Sequence, residues 1–209
     1  MKIAKEGYPL IFSGAVLTAV AAIAGWKSAG AALGLATFAM AAFFRDPERR
    51  IPAGEGLVVS PADGKVVGIA DAGETSRFTG TAMRISIFLS PLDVHINRFP
   101  VGGKIADIQY KQGEFLAAYK GEASEKNEQN ALKIVDGKGR FFGVVQIAGV
   151  LARRIVCRAK AGDILGRGDR FGLIMFGSRT DLYLPHGCKI EVSEGQRVKG
   201  GETIIGRFA

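Results

Sequence analysis

Two long uncharged stretches near the N-terminus constrain the fold of this chain most. Residues 8–25 and 29–44 carry no charge, and the polar break Trp26-Lys27-Ser28 separates them. As helices they would be about 27 and 24 Å long, close to the thickness of a bilayer's hydrocarbon core. Small residues at several positions would let two such helices pack closely: Gly14, Ala15, Ala29 and Gly34. The pattern predicts a helical hairpin that anchors the chain in a membrane.

Two other interpretations of this region stay open. Lys2 and Lys5 precede an apolar stretch, as in a secretory signal peptide, although the second stretch argues against cleavage. The hairpin could also be buried in a soluble core. For an anchor, the basic residues outside both stretches predict that the ends and the following domain lie on the cytoplasmic face of the cell membrane. These residues are Lys2, Lys5, Arg45, Arg49 and Arg50, while Lys27 in the loop weakens the signal.

After Pro52 the sequence changes to short apolar runs punctuated by Gly and Asp. Strand-like runs occupy 83–89, 104–110, 140–150 and 189–192, and a short helix is indicated only for 113–126. The glycine-punctuated run 187–207 is similar to the hairpins of lipoyl-type sandwiches. We therefore expect a membrane-anchoring segment at 1–50, and a mainly β domain at 51–209 that forms a compact sandwich or barrel.

Composition indicates which classes of partner and ligand this chain could bind. The net charge of +8 favours an anionic partner, but no basic run interleaves with aromatic residues, which argues against nucleic acid. Cys157 and Cys188 form neither a disulfide framework nor a metal-ligand spacing, and His95 and His186 are the only histidines. We therefore expect no metal site.

Five short segments carry the chemistry. They are Phe-Phe-Arg-Asp-Pro-Glu-Arg at 43–49, Ser-Pro-Ala-Asp-Gly-Lys at 60–65, Ser-Pro-Leu-Asp-Val-His-Ile-Asn-Arg-Phe-Pro at 90–100, Ala-Ser-Glu-Lys-Asn-Glu-Gln-Asn at 123–130 and Phe-Gly-Ser at 176–178. A Gly-Ser pair alone is typical of a turn, and this one lacks the Gly-x-Ser-x-Gly pattern of a hydrolase. Taken together and in this order, the segments resemble the short form of the phosphatidylserine decarboxylase family, from about residue 43 to the C-terminus.

The resemblance implies a proenzyme that cleaves its own backbone between Gly177 and Ser178. The products would be a large chain, 1–177, and a small chain, 178–209, with Ser178 converted to a pyruvoyl group that serves as the only cofactor. That ketone would form a Schiff base with the serine amine of a phospholipid, giving phosphatidylethanolamine and CO2. A diacylglycerol lipid and an archaeal ether lipid both fit, and a homo-oligomer is compatible with the sequence.

The resemblance also suggests the acid–base groups. His95, in the family's Asp-x-His motif, is the candidate acid/base, since imidazole titrates near neutral pH. Asp63 is the candidate that orients it, although Asp63-Gly64 is equally a common turn pair. Asp93 would share a strand face with His95 if that stretch is extended, and it is a candidate for substrate binding.

Three further positions are less defined. Arg98 stands where long-form members of the family carry a second histidine; it cannot act as a base, but could hold a phosphate or carboxylate. His186 is a second candidate for substrate binding, with a loop position as the alternative. Asn127, Glu128 and Asn130 match a family segment, and a polar surface helix or cap is the simplest interpretation of them.

A different class of function also fits part of the sequence. A membrane-anchored adaptor with a lipoyl-like domain would explain the hairpin, the basic charge and the glycine-rich C-terminal run. It would not explain the ordered motifs that end at Ser178.

Overall fold

The computed structural model describes residues 2–73, 78–114, 126–149, 154–175 and 178–209. The chain divides into two compact units, Met1–Glu48 and Arg49–Ala209. This boundary lies two residues before the predicted one. Arg49 belongs to the second unit because its guanidinium pairs with Asp63, at 2.7 Å, and with Glu202, at 3.5 Å.

The first unit is a helical hairpin. A 3-10 turn, Lys5–Gly7, leads into α1, Tyr8–Ile23, and α2 is Lys27–Phe43. Strands β1, Lys2–Ile3, and β2, Arg45–Asp46, pair antiparallel at its base.

Small residues let the two helices pack closely, as the sequence predicted. A Cβ added to Gly14 would lie 2.4 Å from Thr37 Oγ1, and one added to Gly34 would lie 3.5 Å from Thr18 Cγ2. Gly14 therefore has no room for a side chain without a shift of the facing helix.

One helical stretch of this unit is long and apolar enough to cross a membrane. It runs from Lys5 to Ile23, 19 residues with a mean hydropathy of 1.5, whereas Lys27–Phe43 is apolar but shorter. The length and the composition of the first helix meet the requirement for a membrane span.

The second unit is built from short antiparallel strands. They are β3 Leu57–Val59, β4 Gly64–Asp71, β5 Thr81–Leu89, β6 Ile96–Arg98, β7 Gly103–Lys111, β8 Gln129–Asp136, β9 Phe141–Ile147, β10 Ile155–Cys157, β11 Ile164–Leu165, β12 Arg170–Ile174, β13 Ser178–Pro185, β14 Lys189–Ile190, β15 Arg197–Val198 and β16 Ile204–Arg207.

Eight of these strands form one curled sheet in the order β11-β7-β8-β9-β13-β5-β4-β15. Two three-stranded sheets, β10-β12-β6 and β14-β16-β3, complete the unit. The prediction of a mainly β fold is confirmed, and β5, β7, β9 and β14 fall within or close to the predicted strands. Most of the helix predicted at 113–126 lies outside the described residues.

Alternation along the strands separates two apolar clusters. Ile87 and Leu89 of β5, Leu132 of β8, Val144 of β9 and Leu182 of β13 belong to the main core, so this side of the large sheet is its inner face. The opposite, outer face contributes Ala131, Val145, Ile147 and Tyr183 to a smaller cluster with Phe78. The inner face becomes polar where β13 begins.

Candidate functional site at the start of strand β13

Ser178 is the first residue of β13 and is fully buried. β13 is a central strand, and Ser178 pairs with Leu89 of β5. On the other side of β13, the next residue, Arg179, pairs with Ile147 of β9. The Ser178 hydroxyl has no hydrogen-bond partner among the described residues. Gly177, the other half of the predicted cleavage site, lies outside them.

A chain of buried amides lies next to Ser178 on the same face of the sheet. Asn130 of β8 donates to Gln146 of β9 (3.0 Å), and Gln146 donates to Asn97 of β6 (2.9 Å). Asn97 in turn donates to the Thr180 hydroxyl of β13 (3.1 Å). Because side chains alternate along a strand, Ser178 points to the same face as Thr180. The network therefore fixes the face to which Ser178 points.

Three connections place His95 on the Ser178 side of this network. Its carbonyl accepts a hydrogen bond from Ile174 N (3.3 Å), and Ile174 precedes Ser178 by only four residues. His95 also follows Leu89, the partner of Ser178, by six residues. Finally, His95 lies two residues before Asn97, so their side chains share a direction in extended chain. The ring of His95 is 2% exposed, and these connections bring the backbone of His95 close to the start of β13.

The hydrogen bond to the His95 ring defines its tautomer. Nδ1 lies 2.9 Å from the backbone oxygen of Asp93. A carbonyl oxygen only accepts, so Nδ1 carries the proton and Nε2 is the basic nitrogen of the neutral ring. A neutral His95 ring therefore presents Nε2 as the nitrogen that can accept a proton.

Asp93 supports His95 through its backbone, not through its carboxylate. The Asp93 side chain closes a turn by accepting from the backbone N and the hydroxyl of Ser90, both at 2.8 Å, and it pairs with Arg197. The predicted shared strand face of Asp93 and His95 is wrong, because Asp93 lies in this turn. Arg197 belongs to the predicted small chain and Asp93 to the large one.

Asp63 does not hold the His95 ring, and that part of the prediction is wrong. Its carboxylate accepts from Arg49 (2.7 Å) and from Gly200 N (2.7 Å). Burial raises the pKa of Asp63 above its usual range, although Arg49 and the Gly200 N–H act in the opposite direction. Asp63 therefore ties the segment at 49 to the loop at 200, and this resembles the turn role that the sequence left open.

The structure does not bring Arg98 or His186 to the serine. Asn97 points toward Thr180, so Arg98 points the other way, and its Nη1 donates to the Gly168 carbonyl at 2.9 Å. His186 is exposed in the turn after β13, at the opposite end of that strand from Ser178. The alternative of a loop position describes His186 correctly.

The Asn127–Asn130 segment is buried, so its interpretation as a surface helix or cap is wrong. Asn127 is 0% exposed and donates to the Ala148 carbonyl at 2.6 Å, and Glu128 is 8% exposed. Tyr110 donates a hydrogen bond to Glu128, and this bond is the main cause that raises the pKa of Tyr110. The segment leads into β8, and its residue Glu128 lies in the same row of the sheet as Ser178.

Sequence reasoning missed the polar residues inside apolar strands. Arg179 pairs with Asp181 (2.6 Å) and donates to Ser86 (2.6 Å) on the outer face of the sheet, directly after Ser178. Gln146 and Thr180 occupy the inner face. The available signal was a polar residue at a core position of an apolar run, as Gln146 is in Phe-Phe-Gly-Val-Val-Gln-Ile.

Comparison with known proteins agrees with the motifs. The family model of phosphatidylserine decarboxylase matches residues 36–206. The phosphatidylserine decarboxylase proenzyme of Geotalea uraniireducens is 46% identical over 204 residues, which cover 98% of this chain and 95% of that protein. The proenzymes of Symbiobacterium thermophilum and Syntrophotalea carbinolica are each 47% identical, over 99% and 98% of this chain and 95% of theirs. With matches that extend over nearly the whole length, this chain belongs to the phosphatidylserine decarboxylase family.

Proposed function

We propose that this chain decarboxylates the serine head group of a phospholipid, and that its catalytic pyruvoyl group is made from Ser178. As a member of its family the chain is a decarboxylase, a carbon–carbon lyase. The observation that carries the assignment to Ser178 is its fully buried hydroxyl without a partner among the described residues. Such a group costs about 1–3 kcal/mol, a cost expected where the side chain is itself a reactant.

Maturation uses the Ser178 hydroxyl as a nucleophile. His95 Nε2 removes its proton, and Oγ attacks the carbonyl carbon of Gly177. The C–N bond of the peptide breaks as the ester forms. Loss of the Ser178 α-proton then breaks the Cβ–O bond and releases the large chain with a carboxylate end. Hydrolysis of the remaining enamine with loss of ammonia leaves a ketone at the head of the small chain.

The pyruvoyl group supplies a ketone that captures the substrate amine and withdraws electrons as CO2 leaves. The protein holds this group in place through the pairing of β13 with β5 and β9, which does not depend on the cleaved bond. The Arg179–Asp181 pair fixes the first residue after the new chain end. His95 would serve as the acid that returns a proton to the carbon that has lost CO2.

The helical hairpin would keep the enzyme at the bilayer that contains its substrate, with the catalytic unit on the cytoplasmic side. The positive charges of Lys2, Lys5, Arg45 and Arg50 support this orientation. Arg49 contributes less to this positive charge at the membrane than the sequence suggests, because its side chain is 9% exposed and already paired with Asp63 and Glu202.

The proposal is tested with Ser178→Ala and a matched control, Ser193→Ala, an exposed serine of the same small chain. On a denaturing gel, S178A should remain one full-length chain, and it should release no CO2 from phosphatidylserine vesicles. S193A should cleave and turn over like the wild type. Decarboxylation by S178A at the wild-type rate would refute the assignment.

A further inference from the structure

Glu128 is a buried carboxylate to which neither the fold nor the cleavage chemistry assigns a role. It directly precedes β8 and is 8% exposed. Its carbonyl accepts a hydrogen bond from Ala148 N at 3.0 Å. The β8–β9 ladder therefore continues one residue beyond the pair Gln129–Ile147.

The sheet register places Glu128 on the same face as Ser178. Asn130, Gln146 and Thr180 form one row across β8, β9 and β13. Two residues away along each strand lies the row of Glu128, Ala148 and Ser178, whose side chains point to the same inner face. Ala148 lies between Glu128 and Ser178 in this row, and two strand spacings put the Cα atoms of Glu128 and Ser178 about 10 Å apart.

The charge of Glu128 has no counterpart within the part of the chain that the structure describes. Tyr110 donates a hydrogen bond to its carboxylate, and no Lys, Arg or His of the described ranges pairs with it. Arg179, the nearest arginine along β13, is on the outer face and paired with Asp181. Burial of a carboxylate without a cation is costly, and a positively charged group of the substrate would supply one.

We propose that Glu128 binds the ammonium group of the substrate's serine head group and removes one proton from it. This inference rests on the proposed function, since it needs the ketone made from Ser178. An ammonium group has no lone pair and cannot attack a ketone. Transfer of one proton to the Glu128 carboxylate leaves a neutral amine and a neutral carboxyl group, and the same proton returns when the product amine departs. Glu128 is thus a catalytic residue of decarboxylation and not of self-cleavage.

The test compares a charged and an uncharged amine on the matured protein. Phosphoethanolamine is an ammonium ion at neutral pH, and cyanoborohydride would reduce its adduct to a stable secondary amine on the small chain. Methoxyamine is uncharged at neutral pH and forms an oxime without a proton acceptor. Both adducts are measured by the mass of the 178–209 fragment, without turnover. Glu128→Gln is compared with Glu55→Gln, an exposed glutamate in the bend at 54–56.

We expect E128Q to lower phosphoethanolamine trapping by about tenfold or more, as for a lost hydrogen bond to a charged group, and to leave methoxyamine trapping unchanged. E55Q should match the wild type with both probes. Equal loss with both probes would mean that Glu128 only supports the structure, and no loss would mean that it has no role; either result overturns the proposal.

Self-cleavage separates this proposal from the proposed function. If wild-type protein yields no small fragment with a reactive ketone, the proposed function fails. If the wild type matures but E128Q does not cleave, Glu128 acts in maturation and the inference is wrong. Should E128Q be insoluble, Glu128→Asp is tested with the same two probes. Because aspartate keeps the charge, we expect E128D to retain part of the phosphoethanolamine trapping and all of the methoxyamine trapping. If phosphoethanolamine trapping falls no further than methoxyamine trapping, the proposal is overturned.

Discussion

Asn97 of β6 donates a hydrogen bond to Thr180 of β13 across 3.1 Å, and this contact joins the two sheets at the candidate site. His95 lies two residues before Asn97, and Ser178 lies two residues before Thr180. The contact therefore ties together the two segments that carry the candidate serine and the candidate histidine.

The two histidines of the chain form a natural pair of variants. His95→Ala should slow at least one of self-cleavage and decarboxylation by about 10²–10⁴-fold, because a positioned acid/base contributes this much. His186→Ala is the control, since His186 is exposed at the far end of β13. The cleaved fraction is measured on a denaturing gel and turnover by CO2 release. Normal cleavage together with normal turnover in H95A would remove His95 from the mechanism.

Gln146 should be the most sensitive member of the amide chain. Gln146→Leu removes the acceptor of Asn130 and the donor to Asn97, which leaves two buried amides short of a partner. The thermal midpoint of the full chain in detergent should fall by roughly 5 °C. Gln109→Leu, at an exposed position, should change the midpoint by about 1 °C or less. Equal midpoints for Q146L and the wild type would show that the network adds nothing to stability.

Asp136 should give the β8–β9 turn a pH-dependent stability. Burial acts to raise its pKa, but hydrogen bonds and charge from Arg140 and the Lys138 N–H outweigh burial and lower the pKa below 3.8. A carboxyl with a lowered folded-state pKa stabilises the protein above its ordinary pKa, and this contribution is lost as the pH falls through the folded value.

Asp136→Asn should therefore lower the thermal midpoint at neutral pH, and the difference from the wild type should close as the pH falls below 3.8. Asp71→Asn, at an exposed aspartate, serves as the control with a small difference at every pH. A D136N difference that stays constant through the acid range would contradict this assignment.

The sequence predicted those features that depend on local pattern. Alternation identified β5, β7 and β9, and small residues identified the helix contact at Gly14. The roles of Ser178 and His95, taken from the motif order, stay predictions. The predictions from sequence failed where tertiary contacts determine the position of a side chain. Asp63 was expected to orient His95, but its carboxylate pairs with Arg49. Asp93 was expected to share a strand face with His95, but it closes a turn onto Ser90.

Glu128 and Asn127 were assigned to the surface because polar residues usually lie there. Their burial depends on strand pairing between residues about 20 and 30 positions apart in sequence, which local periodicity does not encode.

The mass of the small chain tests the central claim most directly. The account predicts that active protein contains a fragment of 32 residues, 178–209, whose N-terminus is a ketone without an amino group. Such a fragment would resist Edman degradation and gain the mass of an oxime with methoxyamine. Active protein that contains only the intact chain, or a fragment that begins with an ordinary serine, would contradict the account.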